Sequence, residues 1–395
     1  MLFPPLYLKK NADRRLRVGH VWIYSNEVDT NRSPLNLFEV GQAITIYSHN
    51  NKVLGNGYIN PHSLISARLI SRDPQYYLDY SLLLQRLSSA LSLRQRLFAQ
   101  PFYRLVYGES DGLPGLVVDR YGEIIVVQIT TAGMEKVRDE IMAALTTTLQ
   151  PRTIVLRNDT SVRTLEGLDN YVTVVQGQLP AEIVIEENQA HFYISVLTGQ
   201  KTGWFYDHRY NRIRLQHYAQ QQRVLDVFSY SGAWGITAAL AGAHCVWCLD
   251  SSQQAIELVN KNAVLNGVAT QVYPHLGDAF EQLKELHRAG ERFDLIVLDP
   301  PAFIKRKKDQ LAGEQAYRRI NQLAMQLLSK EGILVSASCS LHLSSQTLLD
   351  ILRSASQQLN RELQILEQGH QSPDHPIHPA IPETAYIKAF VCRLL

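Results

Sequence analysis

The sequence has few cysteines, little net charge and no long apolar run, and each shortage excludes a class of protein. Its 395 residues include only 4 cysteines, and these lack the spacing of a disulfide framework. No run of about 18 apolar residues occurs, so we predict no membrane-spanning helix. The segment Met1–Lys10 is broken by Pro4 and Pro5 and lacks the leading positive charges and the small-residue cleavage site of a signal peptide. We therefore expect a cytoplasmic protein.

Two patterns suggest a metal site at first sight, and neither is expected to be one. Cys245 and Cys248 form a Cys-x-x-Cys pair, but the surrounding residues predict a strand, in which residues three apart point to opposite faces. The loop Gly369–Pro379 holds three histidines and an aspartate, but its prolines predict an extended loop with no helix to align the imidazoles. The sequence thus predicts no metal.

Positive charge is concentrated near the start of the chain, although the net charge is only +2. Residues 1–72 carry an excess of five basic over acidic side chains. A basic module on a nearly neutral chain favours a polyanionic partner such as nucleic acid, with Arg14, Arg15 and Arg17 as candidate contacts. A solvated surface with no partner remains the alternative for these arginines.

Local patterns divide the chain into three predicted domains. Residues 1–72 alternate short β-like runs with Gly, Asn and Pro turns, which is typical of a small β-rich barrel. Residues 73–188 combine a helix, a hairpin and further strands in an α+β module. Residues 189–395 alternate strands and helices, which predicts an α/β fold with a doubly wound, Rossmann-like sheet.

The segment Phe293–Phe303, FDLIVLDPPAF, is the strongest local signal in the third domain. Its continuous apolar run predicts a strand buried on both faces, and it ends in Asp299, Pro300 and Pro301. Proline cannot extend the hydrogen-bond ladder, so the chain leaves the sheet there in a stiff turn. Ligands of open α/β sheets bind at the carboxyl ends of strands, and this acidic turn is therefore a candidate site.

Three acidic residues at the ends of successive predicted strands favour a nucleoside cofactor without a diphosphate. Asp226 opens the turn Asp226–Gly235, Asp250 ends the next strand, and Asp278 ends the third. The turn has Gly-x-x-Gly and lacks the Gly-x-Gly-x-x-Gly that holds a dinucleotide diphosphate. This pattern fits S-adenosylmethionine better than a nicotinamide dinucleotide.

Several motifs together resemble those of the bacterial 23S ribosomal RNA large-subunit methyltransferase I family. They are Gly199–Arg209, the Asp226–Gly235 turn, Asp299–Phe303 and Ser338–Ser340, and Leu16–Tyr24 with Glu39–Gly41 resembles the PUA RNA-binding domain at the front of that family. The resemblance implies a class I methyltransferase fold, a 23S rRNA partner and formation of 5-methylcytosine. It also implies the positions that bind the cofactor. Asp226 would lie near its amino acid part, Asp250 at its ribose and Asp278 near its adenine. The other implied cofactor-binding residues are Phe205, Asp207, Arg209, Phe228, Ser231, Gly232 and Asp299.

Methylation of cytosine C5 requires a thiolate that first adds to C6, because C5 alone is a poor nucleophile. Cys339 follows a buried apolar run and is the predicted nucleophile. Asp299 is expected to bond the polar edge of the flipped base, with Pro300 and Phe303 against the ring. The run that begins Lys305, Arg306 and Lys307 is expected to contact RNA phosphates.

Two other functions remain open from the sequence alone. Asp-Pro-Pro-aromatic turns also serve methyl transfer to exocyclic amino groups, which needs no cysteine. A ribosome-assembly protein that binds RNA without catalysis is the alternative from another class. The sequence also leaves open whether the protein is a homodimer.

Overall fold

The computed structural model describes residues 3–395 and divides the chain into two compact units. The first unit contains Met1–Ala181, Ser195–Trp204 and Pro373–Thr384, and the second contains Glu182–Ile194, Phe205–Ser372 and Ala385–Leu395. Met1 and Leu2, which begin the segment used above to argue against a signal peptide, lie outside the described residues. The three predicted domain boundaries stay a prediction.

The first unit begins with a five-stranded sheet in the order β1-β3-β4-β5-β2. Its elements are β1 (Pro5–Tyr7), α1 (Arg14–Arg17), β2 (Trp22–Ile23), β3 (Gln42–Tyr47), β4 (Val53–Ile59) and β5 (Ala67–Ser71). Alternate apolar side chains of these strands form a separate small core that includes Leu6, Ile44 and Leu69. The short β-like runs predicted within residues 1–72 include β3, β4 and β5.

A second five-stranded sheet of the same unit has the order β10-β9-β8-β7-β6. Its elements are α2 (Tyr80–Leu97), β6 (Phe102–Tyr107), β7 (Leu116–Tyr121), β8 (Ile124–Ile129), α3 (Ala132–Lys136), α4 (Arg138–Leu149), β9 (Thr153–Asn158), α5 (Ser161–Leu165) and β10 (Tyr171–Gln176). Helix α2 begins where the Asp79 carboxylate accepts the Leu82 N–H at 2.8 Å. The apolar stripe of α2, with Leu83 and Leu87, is fully buried in the core of this sheet.

The second unit is built on a seven-stranded sheet in the order β15-β14-β13-β16-β17-β19-β18. Its elements are β11 (Ile183–Glu187), β12 (Ala190–Ile194), α6 (Arg209–Ala219), β13 (Arg223–Val227), α7 (Ala233–Leu240), β14 (Cys245–Asp250), α8 (Gln253–Leu265), β15 (Val272–Leu276), α9 (Ala279–Arg288), β16 (Phe293–Leu298), α10 (Gln310–Leu327), β17 (Leu328–Ser338), α11 (Ser345–Gln358), β18 (Leu363–Gly369) and β19 (Lys388–Leu394). Short 3-10 helices lie at Ser25–Glu27, Leu35–Leu37, Gly108–Asp111, Tyr206–His208, Lys307–Asp309 and Pro382–Thr384. The predicted α/β class is confirmed.

The sheet order places the carboxyl ends of β13, β14 and β16 side by side. Strand β13 pairs in parallel with β14 on one side and β16 on the other, and β16 pairs in parallel with β17. The strand order reverses on either side of β13, and such switch points open a crevice at the carboxyl edge. The predicted run Leu295–Leu298 is fully buried, as expected for a strand covered on both faces.

Five elements of the second unit were not predicted from the sequence, namely β11, β12, α6, α9 and β18. Strand β15 ends at Leu276, and Asp278 lies beyond it as the cap of α9, whose Glu281 N–H it accepts at 3.1 Å. The predicted third strand end is therefore a helix start, because a short acidic side chain there satisfies an otherwise unpaired N–H.

The structure adds three observations on cysteine, metal and membrane patterns. None of the four cysteines, all within residues 3–395, forms a disulfide, and Cys248 and Cys392 are buried in their strands. Within residues 3–395, no group of three or more His, Cys, Asp or Glu side chains is arranged to hold a metal ion. No helix in this range is long and apolar enough to cross a bilayer.

Candidate functional site

The turn after β13 has an unusual backbone. Phe228 and Tyr230 both adopt positive φ, 65° and 48°, and Gly232 has φ 81°. Such values are costly for bulky residues and mark a turn held in shape by its surroundings. The Tyr230 N–H is fixed by the Asp250 carboxylate at 2.9 Å, and the Gly232 N–H bonds the Ser229 carbonyl at 2.8 Å.

Three buried polar atoms in this turn have no hydrogen-bond partner among residues 3–395. They are Asp226 Oδ1, Ser229 Oγ and Ser231 Oγ. A buried polar group without a partner costs about 1–3 kcal/mol, so three within one short turn indicate a place for a polar ligand. The turn therefore has the unused hydrogen-bonding capacity that a bound cofactor would satisfy.

Asp226 is fully buried under helix α7. Its Oδ2 accepts the Gly235 N–H at 2.9 Å. Burial, with the nearby charges of Asp299 and Asp250, raises the pKa of Asp226 to about 8. A Cβ at Gly235 would lie only 2.5 Å from Cys248 Sγ, so glycine is needed where α7 crosses β13 and β14. A cationic group bound beside Asp226 would favour the ionised carboxylate.

Asp250 is oriented by two backbone N–H groups. One oxygen accepts the Tyr230 N–H and the other accepts the Ser252 N–H, both at 2.9 Å. Each carboxylate oxygen has a second lone pair, so Asp250 is able to accept hydroxyl groups of a ligand without losing these contacts. Asp278 is exposed and caps α9 with one oxygen, as described above.

Asp299 is held by an indole at the end of β16, and an imidazole lies nearby. Trp234 Nε1 donates to Asp299 Oδ2 at 3.0 Å, and His208 Nε2 lies 3.4 Å from Oδ1. The Asn211 amide nitrogen lies 3.1 Å from His208 Nδ1, and the buried Nε2 makes no hydrogen bond within residues 3–395. The Asp299 side chain is 22% exposed, so it is fixed in orientation but open to a ligand.

The three predicted cofactor residues before β13 take part in other contacts. Phe205 is half-buried and lies edge-on to Tyr230, with ring centroids 5.6 Å apart. Asp207 is fully buried and accepts the Tyr386 hydroxyl. Arg209 is buried, with Nε 3.4 Å from a Glu187 carboxylate oxygen. These contacts fix the segment that lies beside the turn after β13.

Cys339 lies just past β17, between two fully buried serines. Tyr317 of α10 bonds both serine hydroxyls at 2.8 Å, and the Ser340 N–H donates to Ser338 Oγ at 3.1 Å. This network fixes the backbone on both sides of the cysteine. Cys339 is itself half-buried, whereas Cys248 and Cys392 are fully enclosed and burial raises the pKa of both.

Lys388 is the basic group beside Cys339. It begins β19, where it pairs with Ser338, and its Nζ donates to the Ser340 carbonyl at 2.6 Å. Burial lowers the pKa of Lys388 to about 8, while attraction to the Cys339 side chain acts in the opposite direction. Lys388 therefore places a basic group close to Cys339.

The predicted substrate residues of the second unit differ in their exposure. Pro300 is buried, and Phe303 is half-buried in an aromatic cluster, 4.8 Å from the Tyr317 ring and 6.3 Å from the Phe228 ring. Lys305, Arg306 and Lys307 are exposed, and Arg306 pairs with Asp309 at 3.1 Å. The aromatic ring thus lies close to the turn after β13, and the basic run faces solvent.

The three arginines of the first unit that were predicted to contact RNA differ in their ion pairs. Arg15 pairs with Glu27 at 2.8 Å, and Arg17 pairs with Asp13 at 2.5 Å. Arg14 is exposed, and no ion pair to it is found within residues 3–395. Of the three, Arg14 has the charge that is least compensated.

Comparison with known proteins assigns the chain to a family. Residues 6–72 match the model of a PUA-like domain, and residues 146–393 match that of an S-adenosylmethionine-dependent methyltransferase. Proteins named ribosomal RNA large subunit methyltransferase I from Shigella boydii serotype 18 and Escherichia coli O139:H28 are each 35% identical over 395 residues, covering 99% of both chains. The chain belongs to this methyltransferase family.

Solved structures agree with the fold of the family. A protein from Streptococcus mutans that was assigned as a SAM-dependent methyltransferase has a TM-score of 0.83 at 21% identity, covering 99% of this chain and 100% of that one. Another structure assigned as a methyltransferase, in complex with SAH, has a TM-score of 0.84 at 20% identity and covers 100% of both chains. At these identities the comparison shows the fold alone.

Family membership confirms the predicted cofactor, S-adenosylmethionine, and the predicted PUA-like domain. The unpartnered polar atoms of the turn after β13 and the open lone pairs of Asp250 fit the polar groups of such a cofactor. The individual cofactor, substrate and catalytic residues stay predictions.

The sequence analysis missed four residues of the candidate site. His208 and Trp234 lie against Asp299, and Tyr317 and Lys388 contact the serines next to Cys339. His208 lies within a motif that had been noticed, whereas Lys388 had no local signal because only strand pairing brings it beside Cys339.

Proposed function

We propose that this chain forms 5-methylcytosine in 23S ribosomal RNA through a covalent bond between Cys339 Sγ and C6 of the target cytosine. The observation that supports this most directly is the position of Cys339. It is a half-buried cysteine at the carboxyl edge of β17, and β17 pairs with the strand that ends at Asp299. The ammonium of Lys388 lies beside it. The ribosomal RNA substrate named for the curated relatives supports the choice of RNA.

The proposed chemistry assigns separate tasks to the residues of the site. Bound S-adenosylmethionine supplies an electrophilic methyl group. The Cys339 thiolate adds to C6, which moves an electron pair toward C5 and makes that carbon nucleophilic. Asp299, oriented by Trp234, contacts the N3 and amino edge of the base, where a proton passed to N3 neutralises the negative charge that addition of the thiolate creates. Transfer of the methyl group to C5 would leave S-adenosylhomocysteine as the second product. A base or a water molecule would then take the C5 proton, and the electron pair of that C–H bond would expel the Cys339 thiolate and restore the ring.

The residues around Asp226 are proposed to hold the cofactor. Asp226 Oδ1, Ser229 Oγ and Ser231 Oγ have open hydrogen-bonding capacity in one turn, and Asp250 has open lone pairs at the next strand end. We assign the amino acid part of the cofactor to the Asp226 side and its ribose to Asp250. The basic run after the Asp-Pro-Pro turn and Arg14 are proposed phosphate contacts, since their charges are exposed.

Covalent trapping tests the proposed adduct. In a 23S rRNA fragment that contains 5-fluorocytidine, the fluorine at C5 cannot leave as a proton does, so the thiolate cannot be expelled. We expect a stable protein–RNA complex that forms only with S-adenosylmethionine, and peptide mass spectrometry that maps the bond to Cys339. A complex on another cysteine, or none with a fragment that is methylated when unmodified, would rule out the Cys339 adduct.

Lys388 is expected to make Cys339 reactive. Replacing Lys388 with methionine removes the ammonium but keeps the length of the side chain, so the thiolate loses its cationic neighbour. We expect alkylation of Cys339 by iodoacetamide at pH 7 to slow by about tenfold, and its pH profile to move upward. Peptide mass spectrometry measures each cysteine separately, so the other three serve as internal references.

The matched controls for this prediction are Lys388→Arg and Lys330→Met. Arginine keeps the positive charge and should keep most of the reactivity of Cys339. Lys330 is an exposed lysine near the other end of β17, so its replacement should leave Cys339 unchanged. Equal alkylation rates in the wild type and in Lys388→Met would show that Lys388 does not activate the thiol.

A further inference from the structure

The first unit contains a cavity of about 280 Å³ that the proposed methyl-transfer chemistry does not use. It lies between the two five-stranded sheets of that unit. The residues that line it include Trp22, Arg68, Tyr107, Glu109, Leu116 and Glu383. Pockets of this kind, mostly apolar with a few converging polar groups, are typical of small-molecule or nucleobase sites.

Arg68 lines the cavity with a hydrogen-bonding group still open. Its side chain is 8% exposed, and its Nη1 pairs with a Glu166 oxygen at 3.1 Å, which neutralises its charge. Arg68 Nε is buried and has no hydrogen-bond partner among residues 3–395. Buried guanidinium N–H groups rarely stay unpaired in folded proteins, so a ligand with an acceptor atom would stabilise this arrangement.

Glu109 supplies negative charge to the lining of the cavity. Trp22 Nε1 donates to Glu109 Oε1 at 2.8 Å, and no cation of residues 3–395 forms an ion pair with this carboxylate. Glu383, at the rim, is exposed and also acidic. Because Glu166 already balances Arg68, the cavity is net negative and disfavours phosphate or carboxylate ligands. A neutral or cationic ligand with N–H donors is favoured.

The aromatic side chains that line the cavity favour a ligand with a flat ring. Trp22 and Tyr107 line the cavity together with apolar Leu116. Aromatic side chains provide stacking surfaces for unpaired bases. Guanine combines the required features: its N1–H and 2-amino groups match a single carboxylate, and its O6 and N7 accept from a guanidinium.

We propose that this cavity binds an unpaired guanine of the RNA, with its donor edge on Glu109 and its acceptor edge on Arg68. The inference rests on the proposed function in so far as RNA is the substrate. It adds a specific nucleotide contact in the unit that carries the PUA-like domain. The RNA phosphates would lie outside the cavity, so the negative charge of the cavity would not repel them.

Binding of short single-stranded RNAs to the full chain tests the guanine site. Two RNAs differ at one position, guanine or inosine, and inosine lacks only the 2-amino group. By fluorescence anisotropy we expect the guanine RNA to bind roughly tenfold more tightly. In Glu109→Gln, which keeps the acceptor for Trp22 Nε1 but loses the charge, the preference should disappear. Glu383→Gln, at the rim, should retain it.

The possible outcomes separate this site from the methylation chemistry. Cys339→Ala should keep the guanine preference, since the cavity contains none of the residues proposed for catalysis. Equal binding of the two RNAs by the wild type, or a preference that persists in Glu109→Gln, overturns the proposal even if 5-methylcytosine is formed. Binding of an arginine-containing peptide that depends on Glu109, with no guanine preference, would identify a protein-binding cavity and also overturn it.

Discussion

Replacing Cys339 with alanine is expected to lower kcat by roughly 10⁴-fold or more while leaving S-adenosylmethionine affinity nearly unchanged. The reason is that no other side chain at this edge of the sheet supplies the thiolate that C5 methylation requires. Cys248 and Cys392 are buried within their strands, and burial keeps both thiols protonated by raising their pKa values. Methyl transfer to 23S rRNA with labelled cofactor measures kcat, and calorimetry measures cofactor binding.

The matched control for this variant is Cys245→Ala. Cys245 is also only partly buried, but it begins β14, at the opposite end of the sheet from the site. Its replacement should leave methyl transfer within about twofold of the wild type, as is usual for changes away from a site. Retention of activity in Cys339→Ala would favour methylation of an exocyclic amino group, which needs no cysteine.

Replacing Asp299 with asparagine is the second change for which we expect a large effect. Asparagine keeps an acceptor for Trp234 Nε1 but removes the charge and the proton-holding capacity at the polar edge of the base. We expect kcat to fall by about 10²- to 10⁴-fold, the range for a positioned acid or base. The fluorocytidine complex should also form more slowly, because addition to C6 depends on the same contact.

Asp350→Asn is the surface control for Asp299→Asn. Asp350 lies on α11, where Arg353 pairs with it at 3.0 Å and Gln346 Nε2 donates to it at 3.4 Å, both from the same helix. Its replacement should leave kcat unchanged. Wild-type kcat in Asp299→Asn would show that the Asp-Pro-Pro turn is not the part of the site that holds the base.

The sequence identified the strands whose pattern is local, and it failed where contacts come from distant parts of the chain. The apolar run Leu295–Leu298 and the turns that follow β13 and β16 were predicted because burial on both faces and proline chemistry are visible in a few residues. Strand β18 was missed because its burial pattern is irregular at the edge of the sheet, where side chains such as Ile365 stay exposed. Helix α9 was missed because Asp278 was interpreted as a strand end and not as a helix cap.

The same distinction applies to the candidate site. The acidic residues and Cys339 could be found from their positions at strand ends. The orientation of Asp299 by Trp234, and the proximity of Lys388 to Cys339, depend on how α7 packs and how β19 pairs. No local pattern encodes those contacts. The cavity of the first unit that Arg68 and Glu109 line likewise depends on the packing of two sheets that are separate in sequence.

Nucleoside mass spectrometry of 23S rRNA tests the central claim most directly. The RNA is incubated with the protein and S-adenosylmethionine carrying a labelled methyl group, then digested to nucleosides. We expect the label in 5-methylcytidine, and none with Cys339→Ala. Label in N4-methylcytidine or only in purine nucleosides would contradict cytosine C5 methylation.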